Sequence, residues 1–237
     1  TSAGEGRPAV FVQGIDLAGN IGSSTVYPLV TRFGLPPSFA TFSATPIRAK
    51  IGTLVVLKFT ASETLRATPT LMVGNQAASF VSVSGLVYTF TVTINGSAGE
   101  GAPNVVAQGV DLDGRVGSST ANPLVTDFTQ PAFAGFIASP SLAKIGTPVT
   151  LTLMASEPLT GTPTLTVGNQ AATFVSTVDT TQTFTITIGN GAGEGTPSVV
   201  ASGMDLVGNV GTSTATPLMT DFTAPAPPTV DPPISPT

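Results

Sequence analysis

Cysteine, histidine and tryptophan are all absent from the 237 residues. Their absence removes disulfides, thiol nucleophiles, zinc sites of the nitrogen and sulfur type, and histidine-based acid–base pairs. It leaves secretion open, because repeat domains of this size bury adequate apolar cores without covalent staples. Charge is scarce as well: 9% of the residues are charged, against about a quarter in an average domain. No segment approaches the roughly 18 unbroken apolar residues of a membrane-spanning helix. No basic-then-apolar leader opens the chain, so the export signal of a secreted form is expected outside these residues or already removed. What remains is rich in Thr, Ser, Ala and Val. The 26 Gly and 21 Pro are spread along the whole length and cut any helical pattern into pieces shorter than about ten residues. Short strands joined by turns are the expectation.

The net charge of −5 speaks against nucleic acid as a partner, since affinity for phosphate backbones comes mainly from clustered Lys and Arg. The charges are unevenly placed. All eight basic residues precede residue 145 and face seven acids there, for a net +1, whereas Glu157, Asp179, Glu194, Asp205, Asp221 and Asp231 follow with no base. This asymmetry reads either as drift on solvated faces or as an electrostatic bias in head-to-tail contacts.

Internal repetition is the strongest signal. Ala49-Lys50-Ile51-Gly52-Thr53 returns as Ala143-Lys144-Ile145-Gly146-Thr147, a displacement of 94 residues. Ala61-Ser62-Glu63 and Val73-Gly74-Asn75-Gln76-Ala77-Ala78 return at the same displacement. A Gly-Glu-Gly landmark occurs at residues 4–6, 99–101 and 193–195. Each is followed by a Val-rich run and then by Asp16-Leu17-Ala18-Gly19-Asn20, Asp111-Leu112-Asp113-Gly114-Arg115 or Asp205-Leu206-Val207-Gly208-Asn209. The chain thus holds about two and a half copies of one unit: a partial repeat at 1–33, complete repeats at 34–128 and 129–222, and a Pro-rich linker or tail at 223–237.

Within a unit the spacing is that of strands. Thr89-Phe90-Thr91-Val92-Thr93-Ile94 alternates apolar residues with Thr, as does Thr183-Phe184-Thr185-Ile186-Thr187-Ile188, the pattern of a sheet with one wet face. Seven strands are predicted in the first complete copy, at about 39–44, 53–61, 69–73, 77–83, 87–94, 103–109 and 117–126. Gly-Asn, Gly-Glu-Gly and Asp-Leu-x-Gly-Asn supply turns between them. Seven short strands in a repeat of this length predict an all-β fold of tandem immunoglobulin-like sandwiches rather than propeller blades or β-helix coils, which use far fewer residues per repeat. Phe59, Phe90 and Phe184, with Leu57, Val92, Leu151 and Ile186, fall on the face predicted to point between the sheets.

The order Lys50-Ile51-Gly52-Thr53, Phe59-Thr60-Ala61-Ser62-Glu63, Thr68-Pro69-Thr70-Leu71-Met72-Val73-Gly74-Asn75-Gln76-Ala77, Tyr88-Thr89-Phe90-Thr91-Val92 and Asp-Leu-x-Gly-Asn-x-Gly resembles the bacterial Ig-like repeats of large cell-surface proteins and adhesins. The resemblance covers residues 34–222 fully and 1–33 in part. It implies a prokaryotic cell-surface or secreted spacer, fibre or adhesin module, and it names no ligand. The low charge departs from what stalk modules facing water all round would carry, and points to covered surface.

Glu63, Glu157, Asp111 and Asp205 could be read as acid–base pairs, but they recur with the repeat and no nucleophile accompanies them. No enzyme is expected. The same residues suit a metal better. With this strand order, the loops after the second and sixth strands share one pole of a sandwich. That brings Glu157 towards Asp205, and Glu63 towards Asp111 and Asp113. Asp127, which ends the preceding unit, joins Glu157 and Asp205 in an expected oxygen-only site suited to calcium. Arg32 stands where Asp127 does at the earlier position. The competing reading is that Asp beside Gly is simply a turn former. Asn95-Gly96-Ser97 fits an N-glycosylation sequon that the second copy loses.

The expected function is mechanical: a stalk or a fibre subunit outside the cell. The alternative is an adhesin module gripping a glycan or protein receptor, although Tyr27 and Tyr88 are the chain's only tyrosines and tryptophan is absent. Residues 1–33 correspond to the last two strands of a unit, and a lone hairpin exposing Val10, Val12, Ile15, Val26 and Leu29 is marginal by itself. Either an upstream segment completes it, or other copies of the chain cover it and build a fibre through strand pairing.

Overall fold

The computed structural model describes residues 7–28 and 34–228. The chain divides into two units, the first ending at Asp127 and the second beginning at Phe128.

The first unit opens with a hairpin, β1 (Val10–Ile15) and β2 (Ile21–Val26), paired antiparallel from Val10↔Val26 to Ile15↔Ile21. The sandwich follows as β3 (Phe39–Thr45), β4 (Arg48–Ala49), β5 (Leu54–Ala61), β6 (Thr70–Val73), β7 (Gln76–Ala77), β8 (Ser79–Ser84), β9 (Val87–Thr93), β10 (Val105–Val110), β11 (Val116–Ala121) and β12 (Val125–Thr126). One antiparallel sheet runs β3-β5-β9-β8 and the other β11-β10-β6-β7, while β4 and β12 form a separate parallel pair. The second unit repeats the plan: β13 (Phe133–Ser139), β14 (Leu142–Ala143), β15 (Pro148–Ala155), β16 (Leu159–Val167), β17 (Gln170–Ala171), β18 (Thr173–Val178), β19 (Thr181–Thr187), β20 (Val199–Asp205), β21 (Val210–Ala215) and β22 (Met219–Thr220). Its sheets are β13-β15-β19-β18 and β17-β16-β20-β21, with β14 parallel to β22. The protein is all-β and built of immunoglobulin-like sandwiches. No helix among the described residues is long and apolar enough to cross a membrane.

Two predicted strands are each divided in the structure. The stretch at 77–83 splits because the chain changes sheets: β7 pairs with β6, the Ala78 amide donates to the Leu71 carbonyl, and β8 then pairs with β9. The stretch at 117–126 stops at Ala121, where Pro123 cannot donate to a ladder and the Asn122 side-chain amide turns to the carbonyls of Ala102 and Pro103. β12 and its partner β4 are two residues each, too short to show a period.

The core follows the alternation. Val55, Leu57 and Phe59 on β5 are buried while Leu54 and Lys58 face outward. All seven residues assigned to the interior are buried. Phe59 lies at the centre of an aromatic group, with ring centroids 5.3 Å from Phe39, 5.6 Å from Tyr88 and 5.7 Å from Phe90. The second unit has Leu153 and Gln182 in the places of Phe59 and Tyr88, and Gln182 is satisfied by the Thr177 hydroxyl, which donates to it at 2.6 Å.

The repeated motifs fasten the strands to one another. Gln76 donates to the Thr93 carbonyl at 2.6 Å and accepts from the Asn95 amide at 3.0 Å, tying the β6–β7 turn to the end of β9. Gln170 repeats both bonds with Thr187 and Gly189. Gly101 exchanges two backbone hydrogen bonds with Thr126, and Gly195 does so with Thr220, so Gly-Glu-Gly closes onto the last strand of each sandwich. Asn95 of the sequon accepts from the Ser97 amide and caps a short 3-10 turn.

Candidate metal centre

Each Asp-Leu-x-Gly hairpin turn is organised by its first residue. The Asp205 Oδ1 accepts from the amides of Val207 at 2.8 Å and Asn209 at 2.9 Å, and Oδ2 accepts from the Asn209 side chain at 2.7 Å. Asp16 makes the same three bonds with Ala18 and Asn20. Asp111 makes them with Asp113 and with Arg115, whose Nε stands 2.7 Å from Oδ2. Gly19, Gly114 and Gly208 follow with φ of 85°, 85° and 90°, the left-handed region that glycine enters at little cost. The turn-former reading of these aspartates is therefore correct as far as it goes.

Burial is the largest influence on Asp205 and would push its carboxyl up, but the Asn209 amides and the Val207 and Gly208 N–H groups together hold it below the ordinary value. Asp111 behaves alike: burial opposes, and the Arg115 side-chain bond, the turn amides and the Arg115 charge prevail. Both carboxyls are ionised near neutral pH.

Asp127, Glu157 and Asp205 each offer a carboxylate oxygen, and the three oxygens lie within 4.8 Å of one another. Asp205 is buried and the other two are half-buried. The set is oxygen-only and triply acidic, the chemistry of a hard divalent cation. Engagement in the turn leaves Asp205 fit for this role, because Oδ2 accepts one hydrogen bond and keeps further lone-pair capacity.

The first repeat treats the equivalent acids differently. Arg115 bonds Asp111 and, through Nη2 at 2.6 Å, Asp113. Its basicity is raised first by the Asp111 hydrogen bond, with the charge of Glu63 contributing as well. A guanidinium thus sits among the acids where the second repeat has Asn209. The signal is legible in the sequence as Arg115 against Asn209 at matching repeat positions. Arg32 lies outside the described residues.

Of the predicted assembly positions, Val12, Ile15 and Val26 are exposed and Val10 is half-buried, while Leu29 lies outside the described residues. Tyr27 is exposed beside them, and Tyr88 belongs to the core.

The class that fold and site define is a tandem immunoglobulin-like sandwich with an acidic cluster. No protein-family description matches the sequence, and no curated protein matches it. Among solved structures, the chain is similar to a titin I-band fragment, I67–I69, at 14% identity and a TM-score of 0.46, covering 79% of this chain and 66% of that one. It is also similar to a 1.5-MDa bacterial ice-binding adhesin at 14% identity and a TM-score of 0.47, covering 90% and 74%. A Ca2+-stabilised, ice-binding adhesin of an Antarctic bacterium shows 17% identity and a TM-score of 0.45, covering 91% of this chain and 57% of that one. The chain spans less than two thirds of the titin and Antarctic structures. None of these likenesses is close enough to assign a function.

Proposed function

We propose that the chain is a structural repeat segment that carries or spaces load at a prokaryotic cell surface or outside the cell, with no chemistry of its own. The observation that carries this reading is the pairing of the second strand of each sandwich with its last. β4 and β12 run parallel, with the Val125 and Asp127 amides donating to the carbonyls of Ile47 and Ala49 at 2.9 Å, and β14 and β22 repeat the arrangement. Tension applied through the two ends of a sandwich loads a parallel pair in shear, so that its bonds resist together rather than opening one after another. The repeated Gln, Gly-Glu-Gly and Asp motifs support the reading, because their side chains and backbones are engaged in holding strands and turns.

Single-molecule pulling tests it. Each sandwich should unfold as a discrete force peak, and Val125→Pro, which removes the donor to Ile47, should lower only the first sandwich's peak. Peaks indistinguishable from unfolded chain would end the load-bearing reading.

Calcium held by Asp127, Glu157 and Asp205 is part of this proposal. The observation behind it is the exchange between repeats, a guanidinium among the acids in one and three clustered carboxylates in the other. Calorimetric titration of chelator-treated protein with calcium should show binding that Glu157→Gln abolishes, and the melting midpoint should rise with calcium. An unchanged midpoint would remove calcium from the account.

A further inference from the structure

The β1–β2 hairpin has the same residue-by-residue register as β10–β11 and β20–β21, down to the Gly14↔Gly22, Gly109↔Gly117 and Gly203↔Gly211 pairs. In the two complete sandwiches this hairpin is half of a joint. Val105 and Ala107 are fully buried, as are Val199 and Ala201. A Cβ on Gly109 would come within 3.0 Å of the Phe39 ring and Leu65, and one on Gly117 would overlap the Pro37 carbonyl. The Ser119 hydroxyl accepts from the Phe39 amide at 2.9 Å. The second unit repeats each contact with Phe133, Leu159, Pro131 and Ser213. The outer edge of β10 is occupied by β6, from Val105↔Val73 to Gln108↔Thr70, and β20 takes β16 in the same way.

The first hairpin keeps Gly14, Gly22 and Ser24 at the matching positions, yet nothing lies within 4 Å of the Cβ position of either glycine. Phe11 is 61% exposed and Ile15 69%. Glycine in a strand interior weakens the strand unless something must approach it closely, so the two glycines and the serine form a receptor moulded for a particular visitor.

We infer that this hairpin is a docking surface for a partial repeat of the same kind, one that has the equivalents of β3 to β9 and lacks those of β10 and β11. The occupant presents a Pro-x-Phe segment, its carbonyl over Gly22, its Phe amide on Ser24 and its ring over Gly14, and lays a Thr-Pro-Thr-Leu-x-Val strand along β1. Val12, where the complete repeats have Ala107 and Ala201, requires slightly more room in the occupant. Among the described residues a second copy of this chain does not supply such an edge: its strands of that type, β6 and β16, already hold β10 and β20. The inference rests on the repeat geometry alone and stands apart from calcium and from load-bearing.

The test joins residues 34–95, which carry β3 to β9, directly before Thr1 of the full chain and follows amide hydrogen exchange at residues 10–26. Exchange should slow by ~100-fold or more once the hairpin is seated. Gly22→Val in the same fusion should restore fast exchange there while both existing sandwiches keep their protection, which also shows that the variant chain is folded. Equally fast exchange with and without the added strands would overturn the proposal. So would protection of the hairpin in the unextended chain as its concentration rises, accompanied by sedimentation as a dimer or larger species, since a second copy would then be the occupant.

Discussion

Asp111 shows how one side chain can serve a turn and an ion pair together. Its carboxylate accepts from two turn amides and from Arg115 while buried, so the charged form is favoured and the group titrates below the ordinary range of an aspartate. A carboxyl lowered on folding adds stability that is fully present above its unfolded value and disappears as pH falls through the folded one. The first sandwich should therefore lose stability as pH falls through and below the ordinary carboxylate range. Asp111→Asn should flatten that acid limb and lower stability at neutral pH, because the new amide turns a donor towards the guanidinium. Urea midpoints measured across that range check both effects; an unchanged slope would mean that another group governs the acid transition.

At the scale of the strand, the alternation of Thr with apolar residues decides which face is wet. Thr185 on β19 is exposed, while Phe184 and Ile186 are buried against β15 and β18. Phe184→Ala should cost about 3–5 kcal/mol, the usual penalty for a fully buried aromatic, and Phe59→Ala on β5 a similar amount. Chemical denaturation reads both, and a loss below about 1 kcal/mol would contradict full burial. Gln182 is the exception to the pattern on β19. It occupies the buried Tyr88 position, and only its bonds to Thr177 and Thr180 make burial tolerable.

For the molecule as a whole, each unit has its own two sheets and its own core. The Phe59→Ala and Phe184→Ala losses should then add in the double variant within about 0.5 kcal/mol. Calorimetry of the single variants should show each one lowering the transition of its own sandwich. A strong departure from additivity would mean that the two cores unfold as one.

The sequence by itself determined the all-β class, the repeat and the core faces. Those depend on local periodicity and on Gly and Pro placement, which are written along one strand at a time. It also named Asp127, Glu157 and Asp205, because a repeated turn in a known strand order assigns its loops to one pole. Tertiary structure alone decided the rest. β4 and β12 pair across about 77 residues with only two residues each, a contact with no local period to betray it. The three hydrogen bonds that Asp205 accepts within its turn and the guanidinium of Arg115 beside Asp111 and Asp113 are matters of distance rather than spacing. The receptor character of Gly14 and Gly22 becomes visible only beside Gly109 and Gly117, where a neighbouring strand shows what a glycine at that place is for.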